Sequence, residues 1–201
     1  KPLIQWTIES ALESNLLDEI IVSTDDEDIA NFSRSQGIEV PFLREQYLAQ
    51  DNSLIMDTVL KVLEKLNSFD FILLLQPTSP LRTKEDIVNI INLQKKYNAS
   101  SVVSVCEAKE NPAHFYEINV DNYLSKSFKQ LKESNRQEYK KNYILNGALY
   151  LSSVKYLKKH KSFITNKTIP YVMQREKSID IDDITDIKWG EFIQNYKINN
   201  E

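Results

Sequence analysis

The sequence predicts an α/β fold, a mainly parallel sheet flanked by helices, formed as a single domain over residues 1–201. Three observations lead there. Apolar stretches of strand length alternate with helix-period segments from residue 1 to residue 106. The run Phe71-Ile72-Leu73-Leu74-Leu75 is apolar at every position, as a strand covered on both faces requires. It then opens into Gln76-Pro77-Thr78-Ser79-Pro80-Leu81-Arg82, where two prolines forbid both ladder pairing and helix. A chain that must leave the sheet there forms a loop at the strand's carboxyl end, the edge at which open α/β sheets bind ligands.

The elements follow in order. Pro2 suits the first turn of a helix reaching about Asn15, with Leu3, Trp6, Ile8, Ala11 and Leu12 as its apolar stripe. Glu19–Ser23 has the length and composition of a strand. Thr24 and Asp25 can cap the next helix, and Asp26, Glu27 and Asp28 favour the positive end of its dipole. Gly37 ends that helix, and Ile38–Leu43 forms a second short strand. Residues 53–66 have helical periodicity. Beyond the double-proline loop, Thr83 caps a helix over about Lys84–Tyr97, with Glu85 and Asp86 in its first turn. Ser101–Cys106 is the next strand. The rhythm changes after Pro112: residues of the 112–146 region are polar, tyrosine-rich and weakly periodic, an insertion with its own hairpin or a dimerisation arm. Strand patterns resume at Ala148–Leu151 and Ile169–Met173, and a last helix covers about Asp183–Tyr196.

Composition narrows the function. A chain of 201 residues with 41% apolar content fills one core, and no apolar run approaches the length of a membrane span. No signal peptide is expected at Lys1, and the missing initiator Met suggests residues upstream. With 29 acidic and 25 basic side chains well mixed, neither nucleic acid nor an anionic membrane is the expected main partner. An anionic small molecule remains compatible where a divalent metal and a few arginines meet it. Cys106, alone and inside an apolar strand, reads as a buried structural thiol, which fits a reducing cytoplasm. His114 and His160 are too isolated for a zinc site. Gly37, Gly147 and Gly190 are far apart, so the chain holds neither a dinucleotide fingerprint nor a P-loop; a glycine-built phosphate site would lie upstream of Lys1.

Two segments carry the chemistry. Gln76 is a polar group delivered by a core strand to the cleft edge, although every α/β protein also contains ordinary strand–helix connections. In Ser178-Ile179-Asp180-Ile181-Asp182-Asp183, an extended chain sets Asp180 and Asp182 on one side and the two isoleucines on the other. Two carboxylates on one face suit Mg²⁺ shared with substrate phosphates. The plainer alternative makes Asp182 or Asp183 the N-cap of the last helix. Arg44, after Val40-Pro41-Phe42-Leu43, suits a phosphate or a base edge, or is a surface cation. Asn146 could present its amide to a ligand, and Gly147 suits a close backbone approach or a positive φ.

These residues resemble the acylneuraminate cytidylyltransferases, also called CMP-sialic acid synthetases. The matching strings run in order across nearly the whole chain. They are Lys1-Pro2-Leu3-Ile4, Ile21-Val22-Ser23-Thr24-Asp25, Phe42-Leu43-Arg44, Leu74–Arg82, Arg136-Gln137, Asn146–Tyr150 and Ser178–Asp182, of which the double-proline string and Ser-Ile-Asp-Ile-Asp are the specific ones. The resemblance implies a Rossmann-like nucleotidyltransferase fold with an inserted dimerisation element. It also implies a reaction in which CTP and a nonulosonic acid, with Mg²⁺, give a CMP-sugar and pyrophosphate. Asp180 and Asp182 would then hold the metal and act as the catalytic pair, Arg44 and Ser53 would serve the nucleotide, and Gln76, Arg136 and Asn146 the sugar acid. A cytoplasmic homodimer, with the arm reaching the partner's site, completes the picture.

Three departures from the family pattern stand out. The opening strand and glycine-containing phosphate loop that precede the first helix in the family lie outside this sequence. After Asp51 the chain reads Asn52-Ser53-Leu54-Ile55, leaving Ser53 as the one hydroxyl candidate. Lys140 and Ile144 stand where members often carry Pro and Arg, which points to a different acid such as legionaminic or pseudaminic acid, or to drift. The rival readings are a relative acting on Kdo or a sugar 1-phosphate, and a non-catalytic nucleotide- or sugar-binding descendant.

Overall fold

A computed structural model describes residues 1–50, 53–66, 69–128 and 141–198, with 197 and 198 as backbone only. Helix α1 (Leu3–Ser14) starts after Pro2, which stands at the N-cap, and ends at Asn15 in the left-handed conformation. Its buried face is Thr7, Ile8, Ser10, Ala11 and Ser14, whereas Leu3 and Leu12 of the expected stripe are exposed. Small side chains on that face let α1 approach α4 (Lys84–Tyr97) closely. Asp26 caps α2 (Glu27–Ser35), its carboxylate accepting the Ile29 N–H at 2.9 Å, while Thr24 accepts the Asp26 N–H at 3.1 Å. The cap thus sits just beyond the expected Thr24–Asp25 pair. Gly37, at φ +77°, carries the chain out of α2.

Helix α3 (Ile55–Lys65), strand β1 (Phe71–Leu74), α4 and strand β2 (Ser101–Glu107) stand where expected. Strand β1 is not covered on both faces, however: Phe71 is exposed and Ile72–Leu74 are half-buried, because the strand borders a cavity. The Asp86 carboxylate accepts the Thr83 N–H at 2.9 Å and holds the first turn of α4. The insertion contains a hairpin, β3 (Tyr116–Ile118) and β4 (Leu124–Lys126), in a sheet of its own. Strand β5 (Tyr143–Ser153) leads into α5 (Val154–His160), then β6 (Ile169–Val172) and α6 (Ile184–Ile198). Helix α5 was not foreseen: at seven residues it is too short to show a period, and its one local signal is the Ser153 cap.

The main sheet has the order β1-β5-β2-β6. Strand β5 pairs antiparallel with β1 and β2, and β6 pairs parallel with β2, so β1, β2 and β6 run one way and β5 alone is reversed. The two faces carry separate cores. Ala11, Ile87, Ile90, Val102, Leu149 and Leu151 pack on the α1–α4 side. Val59, Leu63, Val103, Val105, Leu157 and Phe163 pack on the α3–α5 side. Val102 and Val103 face opposite ways, as alternation along a strand dictates, and the molecule is layered helix–sheet–helix.

The expected strands at Glu19–Ser23 and Ile38–Leu43 meet through a single parallel bridge, Ile21 with Glu39, with the Val22 N–H donating to Glu39 O at 3.0 Å. Their ladder extends no further, and Ile20–Val22 also borders a cavity of about 710 Å³. Residues Phe71–Leu75 line the same cavity, and β1 pairs only with β5.

Strands β2 and β5 lose register at one place. Val103 pairs with Tyr150 and Val105 with Leu145, so Ser104 alone faces Asn146–Leu149. This bulge pushes Gly147 out of the ladder near the carboxyl ends of β1 and β6, midway along β2.

Candidate active site

The bulge is the floor of the site. Ser104 is buried; its hydroxyl accepts the Leu149 N–H at 2.8 Å and donates to Asn146 Oδ1 at 2.6 Å. The hydroxyl thereby satisfies one of the backbone groups that the bulge takes out of the ladder, and Asn146 Oδ1 accepts the Ala148 N–H at 3.3 Å. The Asn146 amide is also buried, and its Nδ2 donates to Ser178 Oγ at 2.9 Å. Asn146 therefore reaches the site, but its side chain points inward and fastens the segment that bears the two carboxylates.

Gly147 is what the site sees. Its φ is +73°, and a Cβ there would stand 2.9 Å from Gln76 Oε1, 3.3 Å from Asp180 Oδ2 and 3.5 Å from Ser79 Oγ. Close backbone approach and positive φ, the two demands read from the sequence, both hold at this residue. Gln76, on the loop after β1, and Asp180 meet over it.

The loop itself is fixed from below. Arg82 is 3% exposed; its Nη1 donates to Ala148 O at 2.7 Å and Gln76 O at 3.3 Å, and its Nη2 to Thr7 Oγ1 at 2.7 Å. Burial lowers the guanidinium to about 10, the Asp86 charge pulling it back up, so Arg82 is charged at neutral pH.

After the turn Arg175–Lys177, the Ile181 N–H donates to Thr78 O at 2.8 Å, tying the carboxylate segment to the loop. Ile179 and Ile181 are half-buried while Asp180 and Asp182 are exposed, the alternation expected of an extended segment. Asp183 takes the N-cap role: its Oδ1 accepts the Thr185 N–H at 2.6 Å and the Asp186 N–H at 3.1 Å. Asp186 accepts the Asp182 and Asp183 N–H groups in turn, so Asp182 keeps its carboxylate outside the cap. Burial raises the Tyr150 phenol, and the nearby Asp180 charge adds to the rise.

Arg44 and Gln76 line the 710 Å³ cavity together. Arg44 Nη2 is 2.9 Å from Asp25 Oδ1, which holds the Asp25 carboxyl below its usual range, and Arg44 Nε is buried without a partner among the described residues. Ser53 stands apart from that cavity lining, its hydroxyl donating to Tyr47 O at 2.6 Å. Arg136 lies outside the described residues. No cluster of three or more His, Cys, Asp or Glu suited to a metal occurs among the described residues. Sequence reasoning missed Ser104, Ser79 and Ser178, whose small hydroxyls carry no pattern until β2 and β5 are paired, and it gave Arg82 no role.

A layered α/β sheet with a polar loop, a glycine bulge and two carboxylates at one edge places this chain in the open α/β class that binds ligands at the carboxyl ends of its strands. Residues 1–194 match the family described as Cytidylyltransferase, and the chain belongs to that family. It is 38% identical over 198 residues to the CMP-N,N'-diacetyllegionaminic acid synthase of Legionella pneumophila, covering 94% of this chain and 83% of that one. It is 30% identical over 201 residues to the N-acylneuraminate cytidylyltransferase of Escherichia coli O18:K1:H7, covering 98% of this chain but only 47% of that one. A solved CMP:2-keto-3-deoxy-manno-octonic acid synthetase complexed with CTP shares the fold, with a TM-score of 0.68 at 15% identity over 97% of this chain and 89% of that one.

Proposed function

We propose that this protein transfers a cytidylyl group from CTP to a nonulosonic acid, giving a CMP-sugar and pyrophosphate. The observation that carries the reading is the meeting of Gln76, Gly147 and Asp180 at the sheet's carboxyl edge, with the cavity-lining Arg44 beyond Gln76. Relatives named for legionaminic and neuraminic acids support the acceptor class.

In this reaction the anomeric hydroxyl of the sugar acid attacks the α-phosphorus, the bond to the pyrophosphate oxygen breaks, and the hydroxyl proton leaves. Gln76 binds and orients the acid, its carboxamide offering both a donor and an acceptor. Arg44, which lines the cavity with Gln76, serves the nucleotide as a cation suited to a phosphate or a base edge. One of the two aspartates, Asp180 or Asp182, would take the proton. Asn146 acts from below by fixing Ser178, Arg136 is a further contact to the sugar, and Ser53 would reach the nucleotide only by giving up its bond to Tyr47 O.

The donor set fits Mg²⁺: two exposed carboxylates suit an ion that keeps several waters and binds substrate phosphates, and no protein cage is needed. Asp180 and Asp182 would hold it, and it would offset charge growing on the leaving pyrophosphate. An extended segment entering the cavity beside β1 would find ladder groups to pair with, which accords with the expected opening strand.

We assign residues 1–201 to one domain acting in the cytoplasm, where CTP is available; no helix among the described residues is long and apolar enough to cross a membrane. The β3–β4 hairpin supports a homodimer, because a lone two-stranded hairpin is marginal in water and this one leaves Ile118, Val120, Tyr123 and Leu124 exposed. Pyrophosphate release from CTP with Mg²⁺ and a panel of nonulosonic acids tests the reading. Release with one acid, and none with ATP or without metal, is expected. Release only with a sugar 1-phosphate, or with none of these acceptors, would overturn it.

A further inference from the structure

We propose that Arg82 is a positioning residue for this reaction, a buried cation that sets the distance between Gln76 and the β5 bulge; the inference rests on the cytidylyltransferase reading. Its three bonds reach three separate parts of the chain: the first residue of the site loop at Gln76 O, the bulge at Ala148 O, and α1 at Thr7 Oγ1. The loop and the bulge are otherwise joined by one weak contact, Ser79 Oγ to Asn146 O at 3.4 Å. Neither carbonyl that Arg82 holds is ordinary ladder backbone. Gln76 lies beyond the end of β1, and Ala148 falls within the four residues that face Ser104 alone.

The chemistry of the side chain fits that task. A guanidinium is planar and forked, so contacts from Nη1 and Nη2 diverge in fixed directions, whereas an ammonium is a point donor on a flexible stem. Arg82 spends its bonds on neutral oxygens, and its Nε is buried without a partner among the described residues. A fully buried cation that gives its donors to carbonyls and a hydroxyl is costly to desolvate. Such a cost at the site, where an apolar side chain would fill the same space, points to geometry as its use. Gln76 Oε1 stands 2.9 Å from the Cβ position of Gly147, so a small slide of loop against bulge removes Gln76 from its place.

Arg82→Lys keeps the charge and loses the fork; Thr7→Val removes only the α1 bond. Steady-state pyrophosphate release is measured with the nonulosonic acid that the wild type turns over fastest, together with amide hydrogen exchange of the full chain. For Arg82→Lys the acid's KM is expected to rise about 10-fold and kcat to fall about 10-fold, with the KM for CTP within about twofold. Exchange should quicken at residues 76, 78, 79 and 146–149 and stay unchanged in α4. Thr7→Val should move the same quantities less. A loss in kcat matching the loss of folded protein, with both KM values unchanged, would overturn the proposal. If the wild type released no pyrophosphate with any acid, the reaction assignment would fail, and exchange alone would judge Arg82: unaltered or uniformly raised exchange rejects its positioning role.

Discussion

Gln76 Oε1 lies 2.9 Å from the point where a Cβ on Gly147 would stand, nearer than Cβ contacts allow, and Asp180 Oδ2 lies 3.3 Å from the same point. Gly147→Ala therefore meets two penalties. A left-handed φ of +73° costs a Cβ-bearing residue about 1–2 kcal/mol. The flexible Gln76 side chain yields to the new methyl, so the steric term falls mainly on function. Thermal melting should show a loss of about that size, while turnover falls about 100-fold. Unchanged turnover in the Gly147→Ala variant would place the reacting groups elsewhere.

Asp182 and Asp183 are neighbours with separable tasks. Asp182→Asn should abolish Mg²⁺-dependent turnover and leave the melting temperature intact, since its carboxylate holds no cap. Asp183→Ala should do the reverse, removing the cap and lowering the melting temperature with turnover largely retained. Backbone N–H groups of Asp186 and Thr185 hold the Asp183 carboxyl below its usual range. Its contribution is therefore complete above the ordinary carboxylate pKa of about 4 and is lost as pH falls through the lowered value. Melting scans from pH 7 to pH 3 on both variants check this. Near-normal activity in Asp182→Asn would remove the metal assignment.

The sequence made the layered fold legible because strand burial leaves local marks: an all-apolar Phe71–Leu75 run, a Thr83 cap with Asp86, a Gly37 stop. Gly147 was legible because a glycine just ahead of the Ala148–Leu151 strand pattern signals a close approach or a positive φ. What stayed hidden depends on pairing across the sheet. Nothing local tells that Ser104 confronts four residues of β5, or that Asn146 turns inward to Ser178. The Ile20–Val22 segment read as a strand because its residues are β-formers, yet a ladder needs neighbours, and it meets one only through the single bridge to Glu39.

Behind the site, Tyr171 donates its hydroxyl to buried Asp86 at 3.0 Å, Lys177 approaches the same carboxylate at 3.3 Å, and Asn89 donates to the phenol oxygen at 3.4 Å. Burial is the main cause that pushes the Tyr171 phenol up to about 12, with the Asp86 charge adding to it. The folded protein thus holds that proton more tightly than the unfolded chain does. Its contribution to stability is complete below about pH 10 and is lost as pH rises towards 12. Tyr171→Phe should flatten this alkaline loss and cost about 1–2 kcal/mol at neutral pH, because Asp86 loses a donor. Phenol absorbance titrated alongside urea unfolding reads both; an ordinary phenol titration for Tyr171 would contradict the burial argument.

Ile118 and Leu124 face each other across the β3–β4 hairpin, each 71% exposed, with Val120 wholly exposed at its turn. Apolar side chains on so small a sheet gain little from their own strand partners, and a second copy of the arm or body would cover them. Ile118→Asp with Leu124→Asp places charge on that face without touching the main sheet, so the melting temperature should hold. Sedimentation should then show a dimer for the wild type and a monomer for the double variant. Turnover should fall with the loss of dimer if the arm covers the partner's site. A wild type that sediments as a monomer at micromolar concentration would leave the hairpin without this role.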